Sequence, residues 1–233
     1  MKLCIIPARG GSKRIPRKNI KAFNGKPMIA YSIETAINSQ CFDRIIVSTD
    51  DQEIAKIAIE QGAEVPFIRP EELADDHADT LQVIKQAIEW FEKNDTAPHE
   101  VCCLYATAPF VQVDSLQNAY QQLQNTQADY CFTVTSFPFP IQRAIKITIG
   151  NRVEMFQPEY FNSRSQDLEE AYHDAGQFYW GKTTAFKAMK PLFSEDSSPY
   201  ILPRYLVQDI DTLEDWIRAE LMYQALIKTG EFK

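Results

Sequence analysis

Residues 2–19 read KLCIIPARGGSKRIPRKN. An apolar run up to Pro7 passes straight into a loop rich in glycine and cations. The run has the length, and the lack of alternation, of a strand buried on both faces. Ligands of parallel sheets bind beyond the carboxyl ends of the strands, and the basic loop starts at that place. Gly10 and Gly11 let backbone N–H groups approach an anion closely. Ser12 adds a hydroxyl, and Arg9, Lys13, Arg14 and Lys18 can neutralise a triphosphate. The GxxxxGK[ST] of a P-loop and the GxGxxG dinucleotide fingerprint are both missing, and Pro16 argues against a long helix. The competing reading is a solvated basic loop or a surface nucleic-acid patch. Position at the end of the first strand favours a phosphate site.

The charge distribution sharpens the contrast. The chain has 233 residues and a net charge of −8, which excludes a nucleic-acid binder by bulk charge. The first 26 residues nevertheless carry eight of the 24 Lys and Arg residues and no acid. Length and a 45% hydrophobic content suit one globular domain, 1–233, with room for an insertion. The five cysteines, Cys4, Cys41, Cys102, Cys103 and Cys131, show no CxxC spacing and lie mostly in apolar runs. They are expected to be buried free thiols in a reducing cytoplasm. The opening MKLCIIPA is too short for a signal segment, and no stretch approaches membrane-spanning length. A soluble cytoplasmic protein with no membrane partner is expected.

Outward from the opening, strands and helices alternate. Residues 26–39 predict a helix with Pro27 at its start. Residues 44–49 predict a strand, and 50–62 a helix that begins with acids and ends at Gly62. EVPFIRP, 64–70, reads as a short strand. Residues 78–93 carry apolar residues at helical spacing, Leu81, Ile84, Ile88 and Phe91. VCCLYAT, 101–107, reads as a central strand, 114–125 as a helix and 130–137 as a strand. The class is α/β, three layers, with a mostly parallel sheet covered on both faces. The rhythm changes near Pro138, and 138–181 reads as an insertion of short strands and turns. It returns at RYLVQDIDTLEDW, from residue 204.

In that last stretch Asp209 and Asp211 stand two apart. On a strand they would share a face and could hold a hard divalent cation such as Mg²⁺, completed by phosphate oxygens and water. Helix capping is the alternative, and Thr212 with Asp215 already resembles a capping box. Of Asp50 and Asp51, at least one is expected to cap a helix. Arg69 follows a strand. His77 and His99 read as surface residues, and His173 as a weak sugar-pocket candidate.

The opening, IPARGGSKRIPRKNIKAFNGKPMIAYSIETA, closely resembles that of the CMP-sialic acid synthetases, cytidylyltransferases that activate nine-carbon acidic sugars. The resemblance covers nearly the whole chain and is weakest from about Gln142 to Glu170. It implies a nucleotide-diphospho-sugar-transferase-like fold, with the insertion making a homodimer contact. It implies that CTP is held by Ala8, Arg9, Gly10, Gly11, Ser12, Lys13, Arg14, Lys18 and Asn19, with Arg69, Thr80 and Thr107 as further ligands. Arg9 and Lys18 would neutralise the departing pyrophosphate, and Asp209 and Asp211 match the family's metal pair, for Mg²⁺. Two departures concern the sugar. CLYATAPFV has Tyr105 and Ala106 where sialic acid enzymes have glutamine and proline, and DAGQFYWG, 174–181, replaces an NGAIYI-like strand. Both resemble the pseudaminic acid branch. That sugar lacks a terminal hydroxyl and carries a second acetamido group, so aromatic surface from Tyr105, Phe139, Phe178, Tyr179 and Trp180 suits it. Phe178 and Trp180 can equally be core residues on one strand face. The sugar site is expected to use Tyr105, Ala106, Gln142, Arg164, His173, Asp174, Gln177 and Tyr179, with Arg164 on the sugar carboxylate. Legionaminic acid, sialic acid or Kdo as substrate, transfer to a neutral sugar phosphate, and a non-catalytic RNA-binding role all stay open.

Overall fold

A computed structural model describes residues 1–73 and 79–232. In chain order the elements are β1 (Lys2–Pro7), β2 (Ala22–Phe23), β3 (Lys26–Pro27), α1 (Met28–Ser39), β4 (Arg44–Ser48), α2 (Gln52–Glu60), α3 (Thr80–Asn94), β5 (Glu100–Leu104) and α4 (Val113–Thr126). There follow β6 (Tyr130–Ser136), β7 (Ile145–Ile147), β8 (Val153–Met155), β9 (Tyr172–Lys182), α5 (Thr183–Lys187), β10 (Ser197–Ile201) and α6 (Leu213–Thr229). Six strands form the main sheet in the order β10-β6-β9-β5-β1-β4. All neighbours pair in parallel except β9, which is antiparallel to β5 and β6.

The continuous apolar character of β1 has a direct cause. It lies between β4 and β5, and Leu3, Cys4, Ile5 and Ile6 are wholly buried. Cys4 and Ile6 face a core built with α1, α2 and α4. Leu3 and Ile5 face a second core built with α3 and α5. The fold is therefore the expected three-layer α/β sandwich. All five cysteines are buried and free. A third cluster joins Ile15, Phe23, Met28, Tyr31 and Phe110 to Leu206, Ile210, Trp216 and Ala219, and so docks α6 against the opening loop.

Three expectations need correction. The insertion does not run to 181: β9 occupies the middle of the main sheet, and Phe178 and Trp180 are wholly buried core. The segment before it, with the β7–β8 hairpin, stands outside the sheet and exposes Ile145, Ile147, Val153, Phe156 and Phe161. Second, the strand after the insertion is β10, which carries Pro199. It pairs only with β6, and an edge position tolerates a residue without an N–H. Asp209 and Asp211 then follow in a connecting segment, not in a strand. Third, residues 64–70 form no strand: their backbone pairs with the β4 region as isolated bridges, Ile46 with Glu64 and Thr49 with Ile68.

Candidate active site

The loop after β1 is fixed at several points. Ala8 N–H donates to Ser48 O at 2.9 Å, which extends the β1–β4 ladder. Gly10 N–H donates to Asp50 Oδ1 at 2.9 Å. A Cβ at Gly10 would lie 2.8 Å from Asp51 Oδ2 and 3.1 Å from its Cβ, so glycine lets the loop rest on the start of α2. Asp51 caps that helix, accepting from Glu53 and Ile54 N–H. Capping thus falls to Asp51, while Asp50 serves the loop. Arg17, at φ 58°, donates twice to Asp51, at 2.5 and 2.9 Å, and also pairs with Glu53. The guanidinium bonds hold the Asp51 carboxyl down at about 2. Ile15, wholly buried in the third cluster, pins the middle of the loop. Asn19 closes it, with Nδ2 donating to Arg9 O at 2.9 Å.

Pinned this way, the loop meets the C-terminal acidic pair. Lys18 Nζ donates to Ile210 O at 2.8 Å and reaches Asp211 Oδ1 at 3.3 Å. Arg14 pairs with Asp211 Oδ2 at 2.8 Å. Burial first, and the charge of Asp211 second, raise the Asp209 carboxyl above its ordinary value. Thr212 and Asp215 form the expected capping box on α6, so neither Asp209 nor Asp211 is taken up by capping. The pair offers only hard oxygen donors, which fits Mg²⁺ as a partial site completed by phosphate and water. Among the described residues no group of three or more His, Cys, Asp or Glu forms a fuller metal cage.

A cleft of about 520 Å³ opens beside the loop. Arg9, Ser12, Lys13, Arg14, Lys18 and Asn19 line it from the loop, and Arg69, Thr80, Tyr105, Ala106 and Thr107 from elsewhere. Arg69 is 5% exposed, with Nε donating to Ser48 Oγ at 3.1 Å and a second bond to Ser48 O. Burial lowers it to about 10. Leu73 and Val83 also line the cleft. Neither was singled out by the sequence.

The expected sugar residues divide. Tyr105 and Ala106 reach the cleft, and Tyr179 lies behind Tyr105 with its hydroxyl 2.5 Å from Asp174 Oδ2. Gln177 is 4% exposed and donates to Leu206 O at 2.6 Å. His173 packs on Phe137, ring centres 4.8 Å apart. Gln142 and Arg164 do not line the cleft. Gln142 donates to Glu169 O at 3.0 Å, and exposed Arg164 pairs with Asp167 at 2.8 Å. Phe139 is 80% exposed, in a separate groove of the insertion. His99 is exposed beside Glu100, and His77 lies outside the described residues.

A cation-rich loop at the carboxyl end of β1, met by a carboxylate pair from the far end of the chain, has the parts a nucleotidyl transfer needs. Known proteins agree. Residues 3–221 match the model of the Cytidylyltransferase family, and the chain belongs to that family. It is 49% identical over 222 residues, 95% of this chain and 96% of the other, to a pseudaminic acid cytidylyltransferase of Campylobacter jejuni. It is 32% identical over 229 residues, again 95% and 96%, to a CMP-N,N'-diacetyllegionaminic acid synthase of Legionella pneumophila. In fold it is similar to a CMP:2-keto-3-deoxy-manno-octonic acid synthetase complexed with CTP. That match has TM-score 0.70 and 16% identity, and covers 97% of this chain and 99% of the other.

Proposed function

We propose that this enzyme transfers CMP from CTP to the anomeric hydroxyl of pseudaminic acid, giving CMP-pseudaminic acid and pyrophosphate. The contact of Lys18 with Asp211 carries the chemistry, because it joins the phosphate-binding loop to the metal pair in one site. The 49% identity with the Campylobacter jejuni relative supports the sugar.

The sugar oxygen attacks the α-phosphorus in line. The bond from that phosphorus to the β-phosphate bridging oxygen breaks, and pyrophosphate leaves. Catalysis of such a transfer is chiefly positioning and charge stabilisation. Arg9, Lys13, Arg14 and Lys18 draw the phosphates into the cleft, and Arg9 and Lys18 offset the charge that develops on the leaving group. Asp209 and Asp211 would hold Mg²⁺, which would supply charge stabilisation at the phosphates and lower the pKa of a coordinated hydroxyl. Arg69, buried and held on Ser48, presents its charge at a fixed position in the cleft wall. Tyr105 lines the wall where we place the sugar, and Thr80, expected on the nucleotide, stands beside it.

Two further points belong to this reading. The exposed apolar side chains of the β7–β8 segment form the contact of a homodimer. Five buried free thiols suit a reducing cytoplasm.

Pyrophosphate release from CTP and Mg²⁺ tests the assignment with pseudaminic, legionaminic and sialic acids and Kdo side by side. Release is expected chiefly with pseudaminic acid. Release confined to another sugar would keep the chemistry and discard the sugar.

A further inference from the structure

Strand β9 bulges beside Tyr105. Phe132 pairs with Tyr179 and Val134 with Asp174, so Ala175, Gly176, Gln177 and Phe178 stand opposite Thr133 alone. Asp174 Oδ1 accepts Gly176 N–H at 2.8 Å, and Gly176 takes φ +61°, a left-handed conformation that favours glycine. Bulges re-aim side chains next to active sites, and Gln177 lies in this one. It bridges two parts of the site. Its main-chain oxygen accepts the N–H of Tyr105, on the cleft wall, at 2.9 Å. Its side chain, 4% exposed, donates from Nε2 to Leu206 O at 2.6 Å, at the start of the stretch that carries Asp209 and Asp211. A carbonyl can only accept, which fixes the orientation of the amide. Gln177 Oε1 is buried and has no partner among the described residues, so the bond to Leu206 is the one that the side chain makes there.

The stretch between β10 and α6 has little regular structure of its own, only the short turn Arg204–Leu206. Three of its carbonyls, at residues 202, 206 and 210, are instead taken by side chains from other elements. Thr135 Oγ1 donates to Leu202 O at 2.8 Å, Gln177 to Leu206 O, and Lys18 Nζ to Ile210 O at 2.8 Å. The Leu206 and Ile210 side chains are buried in the third cluster. Asp209 therefore lies between the carbonyl held by Gln177 and the one held by Lys18. A misplacement of about 1 Å in a transfer site can cost about 10²-fold in rate, so what seats this stretch matters to the reaction.

We propose that Gln177 is a positioning residue, which through Leu206 O holds the Asp209–Asp211 stretch at a set place relative to Tyr105 and so fixes where a divalent cation would meet the phosphates. It touches neither sugar nor nucleotide, in contrast to its expected place among the sugar contacts. The role rests on the cytidylyl-transfer reading above and adds the residue that couples the cleft wall to the metal pair.

Gln177→Met keeps the length and volume of the side chain and removes the donor. Gln177→Leu repeats the test should the methionine not pack. The first measurement is the calorimetric affinity for CTP in excess Mg²⁺ and again in EDTA, whose ratio is the gain that the metal confers. The wild type is expected to show a gain, and Gln177→Met to reduce it roughly 10-fold, with the affinity in EDTA unchanged. The second is pyrophosphate release, where kcat is expected to fall roughly 10- to 100-fold with the sugar KM unchanged. Thr135→Val frees Leu202 O, farther from Asp209 along the chain, and is expected to lower stability and keep the Mg²⁺ gain. A role in packing alone would lower the Tm of Gln177→Met and leave gain and kcat intact, which overturns the inference. A raised sugar KM with the gain intact would make Gln177 a sugar contact and overturns it too, as does an equal loss of gain in Thr135→Val or a wild type without any gain. Those outcomes leave cytidylyl transfer standing. No pyrophosphate from the wild type with any acidic sugar overturns the transfer reading and this inference with it.

Discussion

Lys18 touches both parts of the proposed active site, and its geometry explains why a lysine stands there. A compact ammonium with three donors can bond Ile210 O and Asp211 together and still face a phosphate. We predict that Lys18→Ala lowers kcat by about 10² to 10³, the usual loss of one donor at a developing charge, as read by pyrophosphate release. Asp51 carries a different load, since it caps α2 and holds Arg17. Asp51→Ala should destabilise the fold by about 1–2 kcal/mol and lower Tm by roughly 2–8 °C. The pH dependence follows from its depressed carboxyl. Its stabilisation is full above the unfolded carboxyl value, near 4. It is lost as pH falls through about 2. The Tm gap between wild type and variant should therefore shrink as pH drops from 5 towards 2, and a gap constant over that range would contradict the assignment. At this scale the sequence was informative in part. A carboxylate before a helix announces a cap, but nothing local distinguishes Asp50, which holds Gly10, from Asp51.

The opening loop is an element in its own right because it has a hydrophobic anchor. Ile15 sits among cations yet is wholly buried against residues from α6 and from the segment that precedes it. Its truncation to alanine should cost about 2–4 kcal/mol, measured by urea unfolding. It should also weaken CTP binding by calorimetry, because the loop loses its seat. Unfolding with unchanged CTP affinity would separate the anchor from the site. The strand β1 and its loop were legible because a short apolar run without alternation, ending at a glycine-rich loop, suits a strand buried on both faces. Strand β10 was not, because Pro199 beside Ser197 and Ser198 reads as a turn until its edge position is known. The antiparallel insertion of β9 into the sheet was hidden as well. DAGQFYWG has strand character, but direction is a property of neighbours, and its core-facing Phe178 and Trp180 resemble pocket aromatics by composition alone.

At the scale of the whole molecule, the eight cations of the first 26 residues face an otherwise acidic body. A triphosphate repelled elsewhere is drawn to one mouth of the sheet. The meeting of Lys18 with Asp211, 193 residues later, could not be read from spacing. It is made by the third cluster, which carries α6 and the preceding segment back across the loop. The exposed side chains Ile147 and Val153, on the β7–β8 hairpin, belong to this scale too. We predict that Ile147→Lys together with Val153→Lys turns a dimer into monomers in sedimentation velocity. A wild type that sediments as a monomer would contradict the proposed interface.

If the basic loop and the acidic pair form one site for CTP, Asp211→Asn must disable it. The variant is nearly isosteric and keeps the α6 capping box intact. The measurement is pyrophosphate release from CTP and Mg²⁺ with pseudaminic acid, alongside a folding check by circular dichroism. We predict a fall in kcat of at least about 10²-fold in a protein that remains folded. Turnover near the wild-type rate would contradict the single site and move the reaction away from Lys18 and Asp211.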